Sequence, residues 1–148
     1  MLQKLTIKNY AIIEQLEVDF SGSLNVITGE TGAGKSILLG ALSLILGERA
    51  DPGVLHNKDN KCVIEGNFKV KKSQVAEFFQ QHELDLEDQL IIRREISTAG
   101  KSRAFINDTP VNLSQLHELS QYLVDLHQQF DTLELEKSDF QREVLDAL

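Results

Sequence analysis

Apolar and polar side chains alternate twice near the start of the chain, at Leu5, Ile7 and Asn9 and again at Leu16, Val18 and Phe20. A period of two is that of a strand with one buried face, so the two runs predict a hairpin turning near Tyr10-Ala11-Ile12-Ile13. Residues 24–28, with Leu24, Val26 and Ile27, predict a third strand. A buried helix follows from about residue 35 to 46 and is stopped by Gly47. Past a loop containing Asp51-Pro52-Gly53, residues 62–70, 89–97 and 103–106 are rich in β-branched or aromatic side chains and read as strands. Between the first two of these, residues 73–82 predict a short helix with Val75, Phe78 and Phe79 on its apolar face.

Thr98-Ala99-Gly100-Lys101 joins the last two strands as a hairpin, and Asn107-Asp108 makes a second tight turn into Pro110-Val111. Asn112 and Gln115 form a capping-box pattern that opens a helix with Leu113, Leu116 and Leu119 on one side. Residues 122–126 read as a short buried strand, and a final helix begins near Ser138. The elements add up to an α/β body with a mixed sheet and an antiparallel side sheet. With no internal repeat and no Pro-, Gly- or Ser-rich linker, residues 1–148 read as one unit.

At 148 residues the chain is long enough to bury a core. Cys62 is the one cysteine, which excludes an intrachain disulfide and fits a reducing compartment. Its strand setting makes it an inert core residue. The longest apolar stretch, residues 37–46, is too short to cross a bilayer, and Met1-Leu2-Gln3-Lys4 lacks a signal-peptide layout. The expectation is a cytoplasmic chain with no membrane partner. The net charge of −8 is uneven: residues 1–60 carry 5 basic and 7 acidic side chains, residues 61–111 carry 8 and 8, and residues 112–148 carry 2 and 8. Binding a DNA backbone needs clustered Lys and Arg, so this piece alone is expected to bind DNA poorly.

One octapeptide changes this picture. Gly29-Glu30-Thr31-Gly32-Ala33-Gly34-Lys35-Ser36 spells G-x-x-x-x-G-K-S between the predicted strand at 24–28 and the predicted helix. That is the context a phosphate-binding P-loop requires. Its glycines let backbone N–H groups approach phosphate oxygens, Lys35 reaches the β- and γ-phosphates, and the Ser36 hydroxyl can ligate Mg²⁺. The start of the helix, running into Ile37, adds unpaired N–H groups and a positive dipole end. ATP with Mg²⁺ is the expected ligand.

A complete P-loop ATPase also needs an acidic strand end to hold Mg²⁺ and position water. Asp125, in Tyr122-Leu123-Val124-Asp125, is the one candidate, and a structural strand end is the competing reading. Arg49 either reaches phosphate or DNA, or complements the dipole of the helix before it. Arg93, Arg94 and Arg103 read as exposed strand charges that discourage edge pairing, with contact to DNA or nucleotide as the alternative. His56, His82 and His117 share no metal-ligand spacing with the cysteine and read as surface or packing residues.

The opening Leu2-Gln3-Lys4-Leu5-Thr6-Ile7-Lys8-Asn9-Tyr10-Ala11-Ile12-Ile13-Glu14, followed by the P-loop and Ile37-Leu38, closely resembles the start of the RecN family of bacterial DNA repair proteins, relatives of the SMC ATPases. Gly47-Glu48-Arg49-Ala50-Asp51, Lys101-Ser102-Arg103-Ala104-Phe105-Ile106-Asn107-Asp108 and Val124-Asp125-Leu126-His127-Gln128-Gln129 fall in the family's order. The resemblance implies an ABC/SMC-type P-loop NTPase head, of which this chain is the N-terminal lobe. It implies that Gln129 is the Q-loop glutamine approaching Mg²⁺ and the γ-phosphate, with Gln128 and Phe130 where the family has Gly and His. It also implies that Asn9 and Tyr10 line the adenine site.

The partners implied are the C-terminal half of the same head, a second head in a homodimer and, through the full-length protein, DNA; the setting implied is the nucleoid. The parent would be an ATPase in double-strand-break repair and recombination, while this chain alone would bind nucleotide without significant hydrolysis. Two other readings remain: a self-contained small P-loop kinase using Asp125 as its magnesium acid, and an interaction module using the acidic C-terminal segment.

Overall fold

A computed structural model describes residues 2–20, 32–50 and 52–123. Its elements are β1 (Leu2–Tyr10), β2 (Ile13–Asp19), α1 (Gly32–Ile45), a 3₁₀ turn at Pro52–Val54, β3 (Cys62–Lys69), α2 (Lys72–Gln81), β4 (Gln89–Ile96), β5 (Ser102–Ile106), β6 (Thr109–Val111) and α3 (Leu113–Gln121). The strands make one six-stranded sheet in the order β2-β1-β3-β4-β5-β6, with each pairing antiparallel. The expected hairpin and the side sheet are thus one continuous surface. The predicted strand at 24–28 and the predicted final helix lie outside the described residues.

Alternation decides which face is buried. Leu5 and Ile7 of β1 stand beside Gly66 and Ile64 of β3, and Ile64 in turn stands beside Arg94 of β4. The side chains of Leu5, Ile7, Ile64, Phe68, Leu90, Ile92 and Ile96 are buried in one core with Leu42 and Ile45 of α1, Val75, Phe78 and Phe79 of α2, and Leu116 and Leu119 of α3. The intervening positions form the opposite face, where Lys4 pairs with Glu17 at 2.8 Å and Lys61 with Glu95 at 3.0 Å.

The ends of the helices follow local chemistry. α3 opens with the predicted capping box: the Asn112 side chain accepts from the Gln115 N–H at 2.7 Å, and Gln115 Oε1 accepts from the Asn112 N–H at 2.9 Å. Asn107 and Asp108 both have positive φ, 47° and 66°, as a tight two-residue hairpin turn requires. Tyr122 departs from expectation. It caps α3 with helical backbone angles instead of starting a strand, and its carbonyl accepts from Gln74 Nε2 at 2.6 Å. Residues 124–126 of that predicted strand are outside the described residues.

α1 ends as Gly47 predicts. The Gly47 N–H donates to Leu44 O at 3.2 Å and the Glu48 N–H to Ser43 O at 3.1 Å, the paired closure of a left-handed helix end. Gly47 has φ of 102°, and a Cβ there would stand 2.9 Å from the backbone nitrogen of His117. Gly47→Ala is therefore expected to cost about 1–3 kcal/mol from backbone strain alone, with the approach to α3 adding to it. Urea denaturation reads this directly, and an unchanged midpoint would contradict the packing described.

Candidate nucleotide site

The site is built on the start of α1. The helix begins at Gly32, inside the octapeptide, so Lys35 and Ser36 lie in its opening residues, where backbone N–H groups lack intrahelical acceptors. No acidic residue occupies that first turn, and Ser36 is exposed. A positive dipole end that carries Lys35 and the exposed Ser36 suits a magnesium-bound polyphosphate. Ile37 behind it is half-buried, and Leu38, Leu39, Ala41 and Leu42 anchor the helix in the core. Gly29, Glu30 and Thr31 of the loop lie outside the described residues, as do Asp125 and Gln129.

Arg94 holds the other end of α1, and here the structure corrects the sequence expectation. Arg94 is 0% exposed, and its strand β4 lies between β3 and β5 instead of at an edge. One guanidinium nitrogen donates to Leu44 O at 2.6 Å and Glu48 O at 2.8 Å; the other donates to Ser102 Oγ at 2.5 Å. α1 has no basic residue in its last turn, so this arginine supplies from the sheet the cation that the helix C-terminus favours. Burial lowers the Arg94 pKa, as expected for a charge held away from water. The neighbouring Cys62 is also 0% exposed, and burial pushes its thiol up to about 11 against the opposing pull of Arg94. It is the inert core residue that its strand setting implied.

The other arginines do not converge on α1. Arg93 lies 4.4 Å over the Phe105 ring and pairs with Glu95 at 3.1 Å and Asp108 at 3.0 Å, so its charge is met within the sheet. The Glu95 carboxyl is held below its usual range, first by its hydrogen bond from Lys61. Arg49 and Arg103 are exposed. His82 links two helices, contacting Glu118 Oε2 at 3.0 Å and Gln115 Nε2 at 3.1 Å. Among the described residues no group of His, Cys, Asp and Glu is arranged to hold a metal ion.

Asn9, expected by resemblance at the base, is 8% exposed and turned inward. Its amide nitrogen donates to Asn57 O at 2.9 Å and Asn60 O at 2.8 Å and lies 3.3 Å from Lys61 O, while Oδ1 accepts from the Asn57 N–H at 2.5 Å. Tyr10 beside it packs against α1 so closely that a methyl group on Gly40 would collide with its hydroxyl. No local sequence signal marked either contact.

Comparison with known proteins agrees with this architecture. The family model described as an AAA domain matches residues 4–145. The DNA repair protein RecN of Haemophilus influenzae is 40% identical over 151 aligned residues, covering 99% of this chain and 27% of that protein. RecN of Bacillus subtilis is 39% identical over 148 residues, covering 99% and 26%. The chain therefore spans about a quarter of the length of these relatives. These relatives are DNA repair proteins, which disfavours the small-kinase reading built on Asp125.

In fold, the chain is similar to a solved structure from work on the ATP-driven dimerization and DNA-stimulated activation of SMC ATPases. The TM-score is 0.64 at 18% identity, over 82% of this chain and 78% of that one. No described helix is long and apolar enough to cross a membrane. The fold is that of an SMC head domain, the chain is similar to RecN proteins over 99% of its length, and it belongs to the AAA domain family.

Proposed function

We propose that residues 1–148 form the ATP-binding N-terminal lobe of an SMC-like ATPase head in a RecN-type protein of DNA double-strand-break repair and recombination. The observation that carries this reading is the 40% identity to a RecN protein along 99% of the chain. The phosphates of ATP lie on Gly29, Glu30, Thr31, Gly32, Ala33, Gly34, Lys35, Ser36 and Ile37. Lys35 faces the β- and γ-phosphates as a point charge. Ser36 and Gln129 hold Mg²⁺, which when bound neutralises charge on the triphosphate. Asn9 belongs to the wall beside the base.

The C-terminal half of the head, a second head and, through the whole protein, DNA complete the working assembly in the cytoplasm at the nucleoid. Support for this division comes from the fraction of the relatives that the chain covers and from the net charge of −8, which suits no DNA backbone by itself.

The test is genetic. Lys35→Ala, introduced into the gene that encodes this chain, should sensitise cells to agents that break both DNA strands as severely as deletion of the gene. Wild-type survival of that strain would rule out a repair role dependent on this P-loop.

A further inference from the structure

The imidazole of His82, at the end of α2, is held between two side chains of α3, and their donors and acceptors fix what each ring nitrogen does. The Asn112 backbone N–H can only donate, so the Gln115 atom it meets at 2.9 Å is the amide oxygen, as the capping box requires. That turns the Gln115 amide nitrogen, a donor, onto His82 Nδ1 at 3.1 Å. Nδ1 must therefore accept, and the ring proton sits on Nε2, which donates to Glu118 Oε2 at 3.0 Å. The tautomer of His82 and the cap of α3 thus depend on each other.

A second proton breaks this chain at one point. On Nδ1 it would meet the Gln115 amide hydrogens, donor against donor. The other neighbours of the ring favour a cation. Glu118 faces it from α3, and the Phe78 ring of α2 lies 4.6 Å away, centroid to centroid. The remaining titratable side chains of the two helices, Lys72, Glu77 and His117, are exposed, as is Glu83 next to the ring in sequence. Tyr122 meets Phe78, with ring centroids 6.0 Å apart. Among these neighbours Gln115 alone opposes the second proton, and its side chain can turn away. Turning the amide from Nδ1 also withdraws Oε1 from the Asn112 N–H.

We propose that His82 is a pH-sensitive latch on α3: its neutral Nε2–H form holds Gln115 in the capping box, and its protonated form exchanges the box for an ion pair with Glu118. The start of α3 that loosens leads directly into His117, whose backbone abuts Gly47 at the end of α1. Acidification therefore acts where α3 meets the helix whose first residues carry Lys35 and Ser36.

NMR on the chain, titrated from about pH 8 to about pH 5, covers the range in which imidazoles change charge. At the upper end the ring nitrogen shifts of His82 should report the Nε2–H tautomer. On acidification the Asn112 amide should lose its hydrogen bond with the same midpoint as the His82 ring. Its protection from solvent exchange should fall about fivefold, the worth of one net hydrogen bond. His82→Asn, which keeps an acceptor where Nδ1 stands and takes up no proton, should leave the Asn112 amide unchanged across the range. Gln115→Glu offers a carboxylate that accepts from the Asn112 N–H and from a protonated imidazole alike, so it should keep the cap throughout. An Nδ1–H tautomer at the upper end, or a wild-type Asn112 amide that does not follow the ring, would overturn the latch. So would an amide that still titrates in His82→Asn, or a cap lost on acidification in Gln115→Glu.

Discussion

ATP turnover by residues 1–148 alone is expected to lie about 10³–10⁵-fold below turnover by the same chain mixed with the rest of its head. On the proposed reading, this chain supplies the parts that hold a triphosphate: the start of α1, Lys35 and Ser36. Phosphoryl transfer needs more than a held substrate. A water must be oriented in line, and charge developing on the transferred group must be neutralised by preorganised donors. On the proposed reading, the acidic catalytic strand and the opposing loop of a second head lie outside this chain, which covers 27% of a RecN relative. Binding without those groups lowers the ground state and leaves the barrier standing. A phosphate-release assay on the chain, with and without the separately expressed C-terminal half, reads the difference. Equal rates in the two samples would overturn the half-head reading.

Replacing Arg94 by Leu is expected to cost about 2–4 kcal/mol of folding stability. The arginine is wholly buried and donates to Leu44 O in the last turn of α1, to Glu48 O just beyond the helix and to the Ser102 hydroxyl. Deleting it removes its charge-assisted hydrogen bonds to these oxygens, each worth about 1.5–3 kcal/mol, while the relief of a desolvated charge offsets part of that loss. Arg94→Lys keeps a cation but replaces a rigid fork by a single point, so it should recover about half of the loss. Urea denaturation of the two variants measures both. A Leu variant as stable as wild type would show that the helix end finds other donors.

The same residue shows where sequence reading stops. The hairpin, the Phe78–Phe79 face of α2 and the Asn112–Gln115 box were legible because each signal lies within a few neighbouring positions. Leu90, Ile92, Arg94 and Ile96 also alternate, and the structure buries that face with Arg94 on it. Its charge nevertheless read as solvent-facing, because the carbonyls that satisfy it lie 50 and 46 residues away in sequence. Asn9 has the same character: its partners come 48 to 52 residues later, so no neighbouring position signals the contacts it makes. Pairing of β1 with β3 across α1 is equally non-local, and periodicity carries no information about it.

Hydrophobic periodicity predicts the start of α1 at about 35, three residues after Gly32, because glycines carry no hydrophobic signal even where they open a helix. The P-loop was legible as chemistry before any fold was known. Its spacing reflects what a phosphate chain demands of a backbone, and that demand is local.

The most direct measurement is therefore the calorimetric affinity of this chain for Mg-ATP beside that of Lys35→Ala. Wild type should bind modestly, since half of the site belongs to the rest of the head. The variant, lacking the cation that faces the β- and γ-phosphates, should show no measurable binding. Equal affinity in the two proteins would contradict the assignment of residues 29–36 as the nucleotide site, and with it the reading of this chain as the ATP-binding lobe.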